Sequence, residues 1–123
     1  MVVSKTERKS GGGKEMACIE FKNYMHIGVV VYNIEDTLAR MRRVFSLDGY
    51  RINPFPPEGE QVQLMYHGKK TFFSARFCFL QMGDTELELI EPVEGESVWK
   101  DFLRENGEGI HHIAFQVDDA DEV

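Results

Sequence analysis

A chain of 123 residues is one domain at most, and its 42% hydrophobic and 28% charged content place it among soluble globular proteins. The formal net charge of −7 argues against nucleic acid, because phosphate binding needs a cationic surface, and it equally disfavours an anionic membrane surface. No apolar run is long enough to span a bilayer and the first residues lack the apolar stretch of a signal peptide, so cytoplasm is the expected compartment.

Residues 1–15 hold Lys5, Arg8, Lys9 and Lys14 around Ser10-Gly11-Gly12-Gly13, with almost nothing to bury. Such a stretch cannot offset its ordering entropy, which predicts a disordered tail over 1–18 and order from near Ile19. Cys18 and Cys78 are too few and too far apart for a disulfide framework, and both read as reduced thiols. Met25-His26-Ile27-Gly28-Val29-Val30-Val31 is rich in β-branched residues and predicts a strand. Asn33 offers an N-cap to a helix carrying Ile34, Leu38, Met41 and Phe45, which Asp48-Gly49 ends. Tyr50-Arg51-Ile52 begins a short strand.

Pro54, Pro56 and Pro57 break regular structure in the 53–70 segment, although Gln61-Val62-Gln63-Leu64-Met65-Tyr66 has strand character and His67 reads as an exposed turn residue. A strand over 71–82, a Gly83-Asp84 turn and a hairpin partner over 85–91 follow. Ser97 caps a helix with Val98, Trp99, Phe102 and Leu103, closed by Asn106-Gly107, and 110–117 is a last strand. Trp99 and Phe72-Phe73 fit a core role better than a ligand pocket. The predicted order is β-α-β-β-β, a helix, then β again, with residues 118–122 opening a further helix.

An offset of 112 − 26 = 86 lays His111-His112-Ile113-Ala114-Phe115-Gln116-Val117 over Met25-His26-Ile27-Gly28-Val29-Val30-Val31. A His-Ile-small-x-x-Val strand running into a capped acidic helix start occurs twice, the signature of a duplicated module. Alternation puts His26 and Gly28 on one strand face, Glu86 and Glu88 on another, and His112 and Ala114 on a third. Two imidazoles and a carboxylate on separate strands of a curved sheet can converge on one divalent ion, with Gly28 and Ala114 leaving room for a ligand. Nitrogen and oxygen donors suit Zn, Mn, Co, Ni or Fe(II). Against this, a histidine in a strand is more often a hydrogen-bonded structural residue, and Glu86, Glu88 and Glu91 suit a solvated face. His111 alternates away from His112, which gives it a packing role or a supporting contact to a ligand. On spacing alone both readings stand.

The stretches Gly83-Asp84-Thr85-Glu86-Leu87-Glu88-Leu89-Ile90-Glu91-Pro92 and Gly107-Glu108-Gly109-Ile110-His111-His112-Ile113-Ala114-Phe115, with Phe102-Leu103 between them, resemble the vicinal oxygen chelate superfamily, most of all its methylmalonyl-CoA epimerase branch. The resemblance runs from about Tyr24 to the end. It implies an α+β fold, a βαβββ module of the glyoxalase-like type plus the first strand of a second module, whose sheets form a cleft around a metal. By position it implies His26, Glu88 and His112 as ligands of a divalent ion (Zn, Co, Mn or Ni). The family's fourth ligand, a glutamate that is also a usual acid/base group, falls beyond Val123, so the base stays unassigned. An auxiliary glutamate of some epimerases has no clear counterpart, with Gln63 and Glu60 nearest.

The implied activity is a metal-dependent epimerase or isomerase that forms an enolate beside the carbonyl of an acid or acyl thioester. The alternatives are a glyoxalase-like lyase acting on a thiol adduct and a resistance-type protein that binds a ligand without chemistry. A second module cut short leaves a sheet edge and face uncovered, which predicts a homodimer and an inactive chain on its own.

Overall fold

The computed structural model describes residues 21–59 and 63–117. The expected disorder over 1–18, the start of order near Ile19, the thiol of Cys18, Glu60 and the helix start at 118–122 lie outside them. Seven strands and two helices run in the order β1 (Phe21–Val30), α1 (Ile34–Met41), β2 (Arg51–Phe55), β3 (Leu64–Tyr66), β4 (Lys69–Thr71), β5 (Ala75–Met82), β6 (Thr85–Pro92), α2 (Val98–Asn106) and β7 (Gly109–Val117). Five strands form one mixed sheet in the order β2-β5-β6-β1-β7, and β3 and β4 form a separate hairpin. The βαβββ module and the first strand of a second are both present, with the hairpin inserted between β2 and β5. Among the described residues no helix is long and apolar enough to cross a membrane.

Asn33 starts α1 by accepting the Asp36 N–H at 2.8 Å, and Glu91 accepts the Ile34 N–H at 2.9 Å, so two of the helix's orphan donors are satisfied. α1 lays Ile34 and Leu38 against Val31, Cys78, Leu80 and Leu89, which form the buried core on that face of the sheet. Each such side chain contributes about 2 kcal/mol of apolar burial. Cys78 is a buried thiol, as expected, and burial pushes its pKa up. Ser97 caps α2 by accepting the Lys100 N–H, and Gly107 ends it at φ 75°, a left-handed conformation that costs glycine little. Trp99, half-buried, packs edge-on against Phe55, Phe73 and Phe77 in an aromatic cluster on the second sheet face. Phe72 differs from expectation and is exposed.

Three element boundaries also differ. α1 stops at Met41, and Val44 and Phe45 stand in solvent, because no sheet residue faces them after the helix turns off. β2 continues through Pro54 to Phe55; as an edge strand it tolerates a residue without an N–H. The single strand expected over 71–82 is two elements, with Thr71 ending the hairpin and β5 starting at Ala75. The hairpin turns at His67 (φ 51°) and Gly68 (φ 76°), the double positive φ of a tight two-residue turn. His67 is exposed there, yet 3.6 Å from Asp101 on α2, and Tyr66 donates its hydroxyl to both Asp101 oxygens at 3.0 and 2.8 Å. These contacts fasten the inserted segment to α2.

β1 lies between β6, which it pairs in parallel, and β7, which it pairs antiparallel. Ile27 faces Ile113, His26 faces Ala114 and Gly28 faces His112. The repeat offset maps each of these pairs onto the set itself, since 27 + 86 = 113, 26 + 86 = 112 and 28 + 86 = 114. A local two-fold axis therefore passes through the Ile27–Ile113 pair, and the duplication seen in sequence is a symmetry of the fold.

Candidate metal centre

His26 on β1, Glu88 on β6 and His112 on β7 come together on the sheet face opposite α1. Gly28 is the common neighbour, paired with Glu88 on one side and with His112 on the other. His26 Nε2 is 3.1 Å from His112 Nε2; Glu88 Oε1 is 3.2 Å from His112 Nε2 and 3.7 Å from His26 Nε2. Donors bonded at about 2.0–2.2 Å to one tetrahedral ion stand roughly 3.3–3.6 Å apart, so these three edges fit a shared divalent cation. Two imidazoles and one carboxylate are also a donor set that suits Zn or a first-row transition ion. Among the described residues this is the group of three whose ligand atoms lie within 4.8 Å of one another.

The electrostatics favour a cation as well. Burial, with the Glu86 carboxylate nearby, pushes the Glu88 carboxyl up to about 7. Burial, followed by the neighbouring His111 and His26, holds the His112 imidazole below its ordinary value. Both shifts favour the uncharged forms of Glu88 and His112 when no cation is bound. A divalent cation reverses the cost of ionising Glu88 and uses the neutral His112 imidazole as it stands.

The three glutamates of β6 separate into three environments, which a solvated strand face does not explain. Glu88 is 9% exposed and meets the histidines. Glu86 lies beside His26 in register. Glu91 turns to the other face, where it accepts the Ile34 N–H and pairs with Arg76, which also holds Glu35. Two further features escaped the sequence. Gly28 does not leave room for an exogenous ligand: a Cβ there would come within 2.2 Å of His112 Cε1, so the space belongs to the imidazole. His111 is not turned away from His112. A bulge between the Gly28–His112 and Val29–Ile110 pairs leaves it as the extra residue, and its Nδ1 lies 3.0 Å from His112 Nδ1. Side-chain alternation predicts the opposite, and nothing in the local sequence announces the bulge. Gln63 is exposed ahead of β3.

Across the sheet, Arg51, Phe79, Glu88, Gly28 and His112 lie in one row from β2 to β7, so the same face continues past the cluster toward an aromatic and a cation.

Residues 25–123 match the Glyoxalase/Bleomycin resistance protein/Dioxygenase superfamily. An uncharacterized Bacillus subtilis protein, YqjC, is 32% identical over 90 residues, which are 73% of this chain and 54% of that protein. The mitochondrial methylmalonyl-CoA epimerase of Dictyostelium discoideum is 28% identical over 95 residues, 76% of this chain and 48% of the relative. A hypothetical protein from Bacillus halodurans superposes with a TM-score of 0.60 at 29% identity, covering 85% of this chain and 62% of that one. The methylmalonyl-CoA epimerase of Mycobacterium tuberculosis shares the fold, with a TM-score of 0.54 at 22% identity over 79% of this chain and 56% of the other. The chain spans about half the length of the curated relatives it matches. With the fold, the duplicated strand and the family match in agreement, the chain belongs to the Glyoxalase/Bleomycin resistance protein/Dioxygenase (vicinal oxygen chelate) superfamily.

Proposed function

We propose that this protein belongs to the metal-dependent epimerases of its superfamily and acts on an acyl thioester or related carbonyl acid that carries an acidic α-proton. The convergence of His26 Nε2, Glu88 Oε1 and His112 Nε2 within 3.7 Å carries the reading, because it supplies three donors of suitable type and spacing. The epimerase relatives supply the substrate class. His26, Glu88 and His112 would hold a divalent ion, with Zn, Co, Mn and Ni all compatible with the donors. Bound there, such an ion supplies Lewis-acid stabilisation of negative charge developing on a substrate carbonyl oxygen.

The chain's own residues do the rest of the work assigned here. Gly28 gives His112 its place, and Trp99 with Phe55 and Phe77 forms an aromatic cluster on that face. The reading assigns ligands and leaves the base unassigned.

The test is deuterium uptake at the α-carbon of methylmalonyl-CoA in deuterated water, with Co2+-loaded protein. Exchange in the wild type and none in Glu88→Gln supports the assignment. Metal binding without exchange, together with turnover of a hemithioacetal, moves the protein to the lyases. Tight ligand binding with no turnover of either substrate makes it a binding protein.

A further inference from the structure

His112 uses its two ring nitrogens in opposite directions. Nε2 faces His26 Nε2 at 3.1 Å and Glu88 Oε1 at 3.2 Å, while Nδ1 faces His111 Nδ1 at 3.0 Å. A neutral imidazole has one N–H and one lone pair, so what Nδ1 does fixes what Nε2 can offer. If Nε2 is to present a lone pair to a cation, the proton resides on Nδ1, and Nδ1–H needs an acceptor. At 3.0 Å that acceptor is the Nδ1 lone pair of His111, which then carries its own proton on Nε2.

The surroundings are built to keep this contact. The bulge makes His111 the extra residue of β7 and breaks the alternation that would turn it away. The Phe102 ring meets the His111 ring edge-on, with centroids 5.3 Å apart and planes at 81°. The His111 and His112 rings are themselves at 88°, which directs one nitrogen at the other. Gly28 has no Cβ, which at that position would collide with the His112 ring. The equivalent position before His26 is Met25 (111 − 86 = 25), so the arrangement is not a by-product of the repeat.

We propose that His111 is a positioning residue: its Nδ1 accepts the Nδ1–H of His112 and thereby fixes the His112 tautomer and ring orientation in which Nε2 offers its lone pair between His26 and Glu88. The inference rests on the metal-site reading for its purpose, and on the geometry alone for its content. Supporting contacts of this kind typically change metal affinity by about 10–100-fold.

Two variants separate positioning from packing. His111→Leu keeps an apolar body against Phe102 and removes the acceptor, whereas His111→Asn sets an amide oxygen close to where Nδ1 was. Long-range 1H–15N correlation spectra of the metal-free protein report the His112 tautomer, and Co2+ titration followed by visible absorption reports affinity. The expected result is an Nδ1–H tautomer for His112 in the wild type and a mixed or reversed tautomer in His111→Leu. With this goes about 10–100-fold weaker Co2+ binding in His111→Leu and recovery to within about threefold in His111→Asn. An Nε2–H tautomer in the metal-free wild type overturns the proposal, as does His111→Leu binding Co2+ like the wild type, or His111→Asn binding as weakly as His111→Leu. Should the wild type take up no Co2+ while its His112 tautomer still depends on His111, the positioning stands and the metal reading falls.

Discussion

Replacing Glu88 by glutamine should stabilise the metal-free protein at alkaline pH while weakening its affinity for metal. Burial, with Glu86 nearby, raises the Glu88 carboxyl from the usual 4.5 to about 7, so the metal-free fold binds this proton more tightly than the unfolded chain does. The group's favourable contribution is therefore fully present below pH 4.5 and is lost as pH rises through about 7. A rise of roughly two and a half pKa units at 1.36 kcal/mol each corresponds to about 3 kcal/mol by pH 8. Glu88 is only 9% exposed, so solvent screening takes little from that figure. Glutamine has nearly the same shape and stays neutral throughout. In EDTA the two proteins should melt together near pH 4.5 and diverge above it. By pH 8 Glu88→Gln should lead by roughly 10 °C, at about 3–5 °C per kcal/mol for a chain of this size. Adding Zn2+ at pH 8 should raise the wild-type midpoint by more than the variant's. Thermal melts at four pH values decide the matter: a difference that does not change with pH, or a wild type that gains on the variant between pH 5 and 8, refutes the reasoning.

The same carboxyl sets the pH dependence of metal binding: affinity should fall about tenfold per unit below pH 7, and a calorimetric titration flat from pH 8 to 5 would exclude the site. Gly28→Ala puts a Cβ 2.2 Å from His112 Cε1, so the ring must move; affinity should drop at least about tenfold, with unchanged affinity counting against the geometry. Tyr66→Phe removes the hydroxyl donated to Asp101 and should speed amide exchange across β3 and β4, with β5 and β6 as internal controls; unchanged exchange in the hairpin would show that the clasp is not needed. β7 pairs with β1 on one side and with no described strand on the other, and its nine residues contain no proline, whereas Pro54 blunts the opposite edge at β2. Sedimentation at micromolar concentration should therefore find dimers, and a stable monomer would remove that expectation.

Those features of the fold that depend on local chemistry were legible from residue order. Asn33 and Ser97 cap the helices they were expected to cap, because a short side-chain oxygen before an amphipathic run has few other roles. His26, Glu88 and His112 lie together, an arrangement that strand alternation left open and that the family resemblance implied. What escaped was set by partners distant in sequence. α1 ends at Met41 because the sheet no longer covers Val44 and Phe45, and periodicity alone carries it on to Phe45. Pro54 reads as a breaker until its strand is known to lie at an edge. The hairpin at His67-Gly68 lies in a segment with weak patterning, and its attachment depends on Asp101, thirty-five positions beyond Tyr66. His111 was misplaced by alternation, since a bulge is a mismatch between two strands and leaves no mark in either one.

The local two-fold explains why the repeated element is histidine, isoleucine and then a small residue. In the antiparallel β1–β7 pair each histidine stands opposite the small residue of the other strand, His112 across from Gly28 and His26 across from Ala114. Opposite residues in such a pair stand within about 4.5–5.5 Å, too close for an imidazole to lean inward over a branched neighbour. Both rings lean toward the axis because each finds glycine or alanine beneath it, and their Nε2 atoms meet at 3.1 Å. Gly28 also borders Glu88 on the parallel side, so one missing Cβ serves two of the three donors. On this account the small positions make room for the histidines of the opposite strand. A larger residue at either one should therefore separate the histidines while leaving the α1 core intact.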